Sequence, residues 1–249
     1  MRDKLAHEML AAYRTTLAAG RDHAVFVVPV GPTGQYERLA ALCNAQRQDL
    51  SRLILINMDE YLTPDGKPLP ADHRLSFRGH IVRQLWDRLD PELAPPADHH
   101  LVPDPRDPGA IARAIDRFDG VDWCFGGVGI TGHVAFNDPP EPGEPDDPDA
   151  FARLPTRVVT LSRETVVVNA INAMRGNLYQ IPKRAITVGM REILGARHVR
   201  LYMHRPYNAA VARLVLHGAV TATVPASLVQ RHPDAALTVT AEVTAPPTP

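Results

Sequence analysis

The 249-residue sequence calls for an α/β protein, one three-layer αβα domain in which a mainly parallel sheet carries helices on both faces. Two observations lead there. Short apolar runs rich in β-branched residues (Ala24 to Val28, Leu53 to Ile56, Trp123 to Val128) are separated by segments with helical spacing. Each run also opens into a polar loop: Pro29 to Gly34, Asn57 to Tyr61, and a glycine-rich turn ending near His133. Strands apolar on both faces belong in a sheet covered on both sides, and such sheets bind ligands beyond the carboxyl ends of their strands. The three loops are therefore expected to share one pocket.

In chain order, Leu5, Met9, Leu10, Tyr13 and Leu17 recur at helical spacing before Gly20, which predicts a helix over most of residues 3–19. The strand at 24–28 leads through its glycine loop into a helix carrying Tyr36, Leu39 and Leu42. After the strand at 53–56, helices are expected from Phe77 to Leu89 and from Pro108 to Phe118, ahead of the strand at 123–128. Later strands are expected at Ala185 to Val188, Val199 to Met203 and Leu237 to Val243, with helices near Ala209 to Leu216 and Pro225 to Gln230. The acidic, proline-heavy stretches 61–74 and 138–155 read as lids or active-site loops. Residues 244–249 read as a frayed tail.

Composition narrows the function. Twenty-seven basic and 28 acidic residues leave a formal charge of −1, so no global field favours nucleic acid or an anionic membrane, and any anion must be held locally. No apolar run approaches a membrane span, and the charged N-terminus is unlike a signal peptide, so a cytoplasmic enzyme is expected. Cys43 and Cys124 lie far apart and suggest neither a zinc knuckle nor a disulfide framework. The pair His99 and His100 lacks partners for a metal site and reads as an exposed loop.

Three clusters carry the chemistry. Gly31 and Gly34, flanking Pro32 and Thr33, let backbone amides approach an anion at a helix start, although a plain turn would use the same residues. Asp59 and Glu60 are adjacent on an extended chain and face opposite ways, so one carboxylate can enter a pocket while the other caps a helix or meets solvent. The run Gly126, Gly127, Val128, Gly129, Ile130, Thr131, Gly132, His133, followed by Asn137 and Asp138, sets a histidine able to move protons near neutrality beside a carboxylate that could orient it.

These segments, Pro29 to Gly34, Asn57 to Tyr61, Gly126 to Asn137 and Gln180 to Gly189, together strongly resemble the glucosamine-6-phosphate deaminases/isomerases, within the superfamily that also holds the 6-phosphogluconolactonases. The likeness runs in order from about residue 5 to 240. It implies a Rossmann-like fold, a sugar-phosphate substrate and no cofactor. Asp59 would be the base carrying a proton between C2 and C1 of the opened sugar, His133 the group that opens the ring and Asp138 its partner, and neither step requires a metal. Gly31, Thr33, Gly34, Glu60, Gly127, Gly129, Thr131, Gly132, Asn137 and Arg205 are the expected substrate contacts. Relatives of this kind include monomers and hexamers, so a homo-oligomer is among the expected states.

The chain also departs from the pattern. Deaminases usually carry Asp before the Gly-His pair and Glu after Ala-Phe-Asn, where this chain has Thr131 and Asp138. Near Ile171 and Asn208, where the family usually places an arginine and a lysine, no cation stands, and His204, Arg205 or Arg175 are the candidates to replace them. Lactone hydrolysis, a sugar isomerase with altered C6 recognition, and a non-catalytic sugar-phosphate sensor are the alternatives these departures leave open.

Overall fold

The computed structural model describes residues 1–245. Its strands are β1 (Ala24–Val28), β2 (Leu53–Asn57), β3 (Asp59–Leu62), β4 (His100–Leu101), β5 (Trp123–Gly127), β6 (Arg157–Thr160), β7 (Arg184–Thr187), β8 (His198–Met203) and β9 (Ala235–Val239). The α-helices are α1 (Arg2–Ala18), α2 (Gln35–Gln46), α3 (Phe77–Gln84), α4 (Ala110–Arg117), α5 (Pro148–Ala152), α6 (Arg163–Met174), α7 (Met190–Leu194), α8 (Ala209–His217) and α9 (Ala241–Thr244). Among the described residues no helix is long and apolar enough to cross a membrane.

Six strands form one parallel sheet in the order β4-β2-β1-β5-β8-β9. Its central strands are apolar on both faces because each face meets a helical layer. Ala24, Phe26, Val28, Leu53 and Leu55 pack against Leu5, Met9 and Tyr13 of α1 and Tyr36 and Leu39 of α2. The alternate residues Val25, Val27, Ile54, Ile56 and Cys124 pack against Ile111 of α4, Ile193 of α7 and Val211 of α8. Each such large side chain, fully buried, contributes about 1.5–3 kcal/mol of transfer free energy. That drive also orders the paired strands, in register from Val27 opposite Ile56 to Cys124 opposite Val199.

β1 lies between β2 and β5, so the chain moves outward on one side through α2 and returns on the other. A crevice opens at such a reversal. A second, antiparallel sheet, β3-β7-β6, stands beyond that edge. Met58 joins the two sheets: its amide donates to the Val28 carbonyl, and its carbonyl accepts from the Val188 amide.

The smaller sheet corrects two sequence expectations. Tyr61 and Leu62, placed at the start of a lid, are buried in β3. The strand expected at 185–188 belongs to the antiparallel sheet. Within 138–155, Pro148–Ala152 forms a helical turn capped by the Asp147 carboxylate. The strand expected to run to Val243 ends at Val239, and the helix expected over 77–89 ends at Gln84 before a 3-10 turn at Trp86–Arg88. His100 is not in an exposed loop: Trp86 Nε1 donates to its Nδ1 at 3.1 Å, and its Nε2 lies 2.8 Å from Asn57 Oδ1. Of the tail expected to fray, Thr244 closes α9, and residues 246–249 lie outside the described residues.

Candidate active site

A cavity of about 290 Å³ opens beyond the carboxyl ends of β1, β5 and β8, at the low end of small-metabolite pockets. Residues from all three polar loops line it: Gly31 and Thr33, Asp59 and Tyr61, Gly127, Gly129 and His133. His204 and Arg205 reach it from the end of β8, and Asn169 and Asn172 from α6.

Asp59 is the first residue of β3, set by the turn at Met58, and it is buried at 7% exposure. Burial, and secondarily the charge of Glu60, raise its carboxyl well above the usual carboxylate range, and no hydrogen bond among the described residues offsets that. The alternation of the strand sends Glu60 the other way. Its carboxylate accepts from Ser76 Oγ and from the amides of Phe77 and Arg78, at 2.9–3.0 Å, and so caps the start of α3. Glu60, expected among the substrate contacts, is thus a buried helix cap that does not line the cavity.

His133 follows a tight loop in which the Gly129 amide donates to the His133 carbonyl and Val128 bridges Val134. The imidazole lies against Gly129, where an added Cβ would fall 2.0 Å from Nε2. Glycine is therefore required there by the ring itself. On the other side, Nδ1 lies 2.7 Å from Asp138 Oδ1, 2.8 Å from Thr131 Oγ1 and 3.2 Å from Thr165 Oγ1. Asp138 also accepts from Thr165 Oγ1 at 2.7 Å, from Thr131 Oγ1 at 3.1 Å and from the Ser162 amide at 3.1 Å. Burial works against its charged form, but the hydrogen bonds, led by His133, outweigh it and hold the carboxyl well below its ordinary range.

Asp138 therefore stands behind His133 as a carboxylate able to orient it, and Thr131, expected among the substrate contacts, likewise meets His133 and not the cavity. Asn137 is likewise buried away from it: its amide donates to the Val134 and Val188 carbonyls, and its oxygen accepts from Arg157. Gly34 and Gly132 shape their loops with φ of 95° and 83° and are not part of the lining.

Of the proposed replacement cations, Arg205 and His204 line the cavity and Arg175 does not. Arg205 is exposed and is the sole arginine or lysine of the lining among the described residues. Burial, followed by the charge of Arg205, lowers the His204 pKa and favours its neutral form. No group of three His, Cys, Asp or Glu side chains among the described residues could hold a metal ion.

Asn169, Asn172, Tyr207 and Thr165 are missed by the sequence reading. Asn169 Nδ2 donates to the Tyr61 hydroxyl at 2.8 Å, and Asn172 Nδ2 approaches the Tyr207 hydroxyl at 3.5 Å. The spacing of Thr165, Asn169 and Asn172 (i, i+4, i+7) was the available signal, since it puts the three on one face of a helix.

No protein-family model matches the chain. Over 214 residues it is 31% identical to a glucosamine-6-phosphate deaminase of Porphyromonas gingivalis, which covers 84% of this chain and 75% of the relative. Over 238 residues it is 32% identical to that of Streptomyces avermitilis, covering 93% and 85%. Among solved structures, a monomeric glucosamine-6-phosphate deaminase superposes with a TM-score of 0.79 at 23% identity, over 98% of this chain and 95% of the other. The 6-phosphogluconolactonase of Thermotoga maritima shares the fold with a TM-score of 0.64 at 17% identity, over 96% and 94%. At these identities and coverages of the two curated relatives, the chain belongs to the glucosamine-6-phosphate deaminase family.

Proposed function

We propose that the protein is an aldose-ketose isomerase/deaminase acting on an amino-sugar phosphate such as glucosamine 6-phosphate. The observation that carries this reading is Asp59, a buried carboxylate on the cavity wall whose affinity for a proton is raised by its surroundings. Such a group suits the abstraction of a carbon-bound proton.

In this mechanism the imidazolium of His133 gives its Nε2 proton to the ring oxygen as the C1–O5 bond breaks and the O1 hydroxyl loses its proton to solvent. Asp138 keeps the Nδ1 proton engaged, so the deliverable proton is the one on Nε2. Asp59 then takes the C2 proton while O1 takes a proton from the C2 ammonium, leaving an enolamine intermediate, and return of the proton from Asp59 to C1 gives the C2 iminium. Water hydrolyses the resulting C2 iminium, and ammonia leaves. Arg205, Thr33 and the loop amides ahead of α2 bind the phosphate in this reading.

Lactone hydrolysis would use His133 but leave Asp59 idle. The deciding measurement is proton exchange at C2, followed by NMR in deuterated water with glucosamine 6-phosphate and its non-amino analogues. Exchange that disappears in Asp59→Asn is the expected result. No exchange with any member of the panel, together with hydrolysis of 6-phosphogluconolactone, sinks the assignment in favour of a lactonase.

A further inference from the structure

His133 has three oxygen neighbours at Nδ1, and they do not ask the same thing of it. The hydroxyl of Thr131 accepts from a protonated Nδ1 while it donates to Asp138, but it can turn its single proton to an unprotonated nitrogen instead, so by itself it does not fix the tautomer. The Asp138 carboxylate is an acceptor only and demands a proton on Nδ1. Which nitrogen faces the sugar unprotonated in the neutral ring, and which carries the deliverable proton in the charged one, therefore depends on Asp138 staying on Nδ1.

Asp138 is held there by α6. The Ser162 amide holds Oδ2, and the Thr165 hydroxyl donates to Oδ1 at 2.7 Å, the shorter of its two hydroxyl contacts. Thr165 is itself fixed, being 1% exposed, with its amide bonded to the N-capping Ser162 Oγ at 3.2 Å. Its branched Cβ restricts χ1 further.

We propose that Thr165 is a positioning residue whose buried hydroxyl locks Asp138 onto Nδ1 of His133 and so fixes the tautomer that the ring presents to the sugar. The kinetic side of this inference rests on the proton-donor role given to His133 above, but the tautomer does not depend on any substrate. The predicted tautomer of the uncharged ring is the one protonated at Nδ1.

The test is 15N NMR of histidine-labelled protein, with the His133 signals assigned from His133→Gln. The wild type is expected to show the Nδ1–H tautomer, Thr165→Val a mixture of both tautomers, and Thr165→Ser the wild-type state. With glucosamine 6-phosphate, kcat of Thr165→Val should fall by about tenfold, as loss of one hydrogen bond to a charged group implies, with KM within about twofold and recovery in Thr165→Ser. A retained Nδ1–H tautomer in Thr165→Val overturns the proposal even if kcat falls. Should Thr165→Val fail to fold, Thr165→Ala is read by the same criterion. If the wild type turns over no sugar phosphate, the functional reading fails, and the tautomer measurement still decides the role of Thr165.

Discussion

Asp59 and Glu60 are neighbours on one strand, and their surroundings give them opposite tasks. Glu60 faces donors on nearly every side; Asp59 faces the cavity with none among the described residues. Asp59→Asn preserves shape and removes the proposed base, so C2 exchange should drop by roughly 10²–10⁴-fold, measured by NMR in deuterated water. Gly129→Ala should be nearly as damaging by a different route. Its Cβ would overlap the His133 ring at 2.0 Å, and the ring must turn off Asp138 to make room. We expect kcat to fall by at least about tenfold, with wild-type far-UV circular dichroism; unchanged kcat would show that the ring has another place to go. That the loops carrying Asp59 and His133 would line one cavity was legible in the sequence, because each follows an apolar strand inside a dense polar cluster. Asp138 beside His133 was legible too, as the carboxylate able to orient the ring, whereas the places of Glu60 and Asn137 were not, since each is set by partners distant in the chain, such as Ser76 or Arg157.

β3 is only four residues long and alternates carboxylate, carboxylate, aromatic and aliphatic side chains, a pattern no strand template rewards. It exists because β7, more than 120 residues later, pairs with it from Asp59–Thr187 to Leu62–Arg184. α6 escaped notice for a related reason: its run Val166, Val167, Val168 is β-branched and reads as strand, yet Ser162 caps it and Val166, Ala170 and Met174 bury one of its faces. The parallel strands, by contrast, announce themselves by continuous apolar runs, because their burial on both faces is a local property of the sequence. The join between β3 and α3 can be tested directly. Glu60→Ala leaves the Phe77 and Arg78 amides and the buried Ser76 hydroxyl without their acceptor, which should cost about 1–3 kcal/mol in urea denaturation. Because Glu60 does not line the cavity, KM should change far less than stability. A large rise in KM with unaltered stability would return Glu60 to the substrate.

The reversal of strand order at β1 gathers groups from distant parts of the chain into one cavity, and it couples folding to the charge of that cavity. In the folded protein the Asp59 carboxyl binds its proton more tightly than in the unfolded chain. At pH below the ordinary carboxylate pKa of about 3.9 both states are protonated and the difference vanishes. Between that value and the raised one, the unfolded chain has released the proton and the folded protein has not, so stability falls as pH rises, and above the raised value the full penalty persists. Asp138 acts with the opposite sign, since its depressed pKa gives stability that is present above the ordinary carboxylate pKa and lost only in acid. The proposed reaction needs Asp59 ionised, so the acid limb of kcat/KM should lie above the usual carboxylate range, and activity should rise through the pH window in which Asp59 withdraws stability. Asp59→Asn removes both effects. Its melting temperature should match the wild type in acid and exceed it near neutrality by the equivalent of about 1 kcal/mol, the size of a common trade between function and stability. Melting temperatures for both proteins across pH 4 to 8, set beside the wild-type kcat/KM profile, check this. A constant offset between the two melting curves would mean that Asp59 does not titrate in this window and that the acid limb belongs to another group.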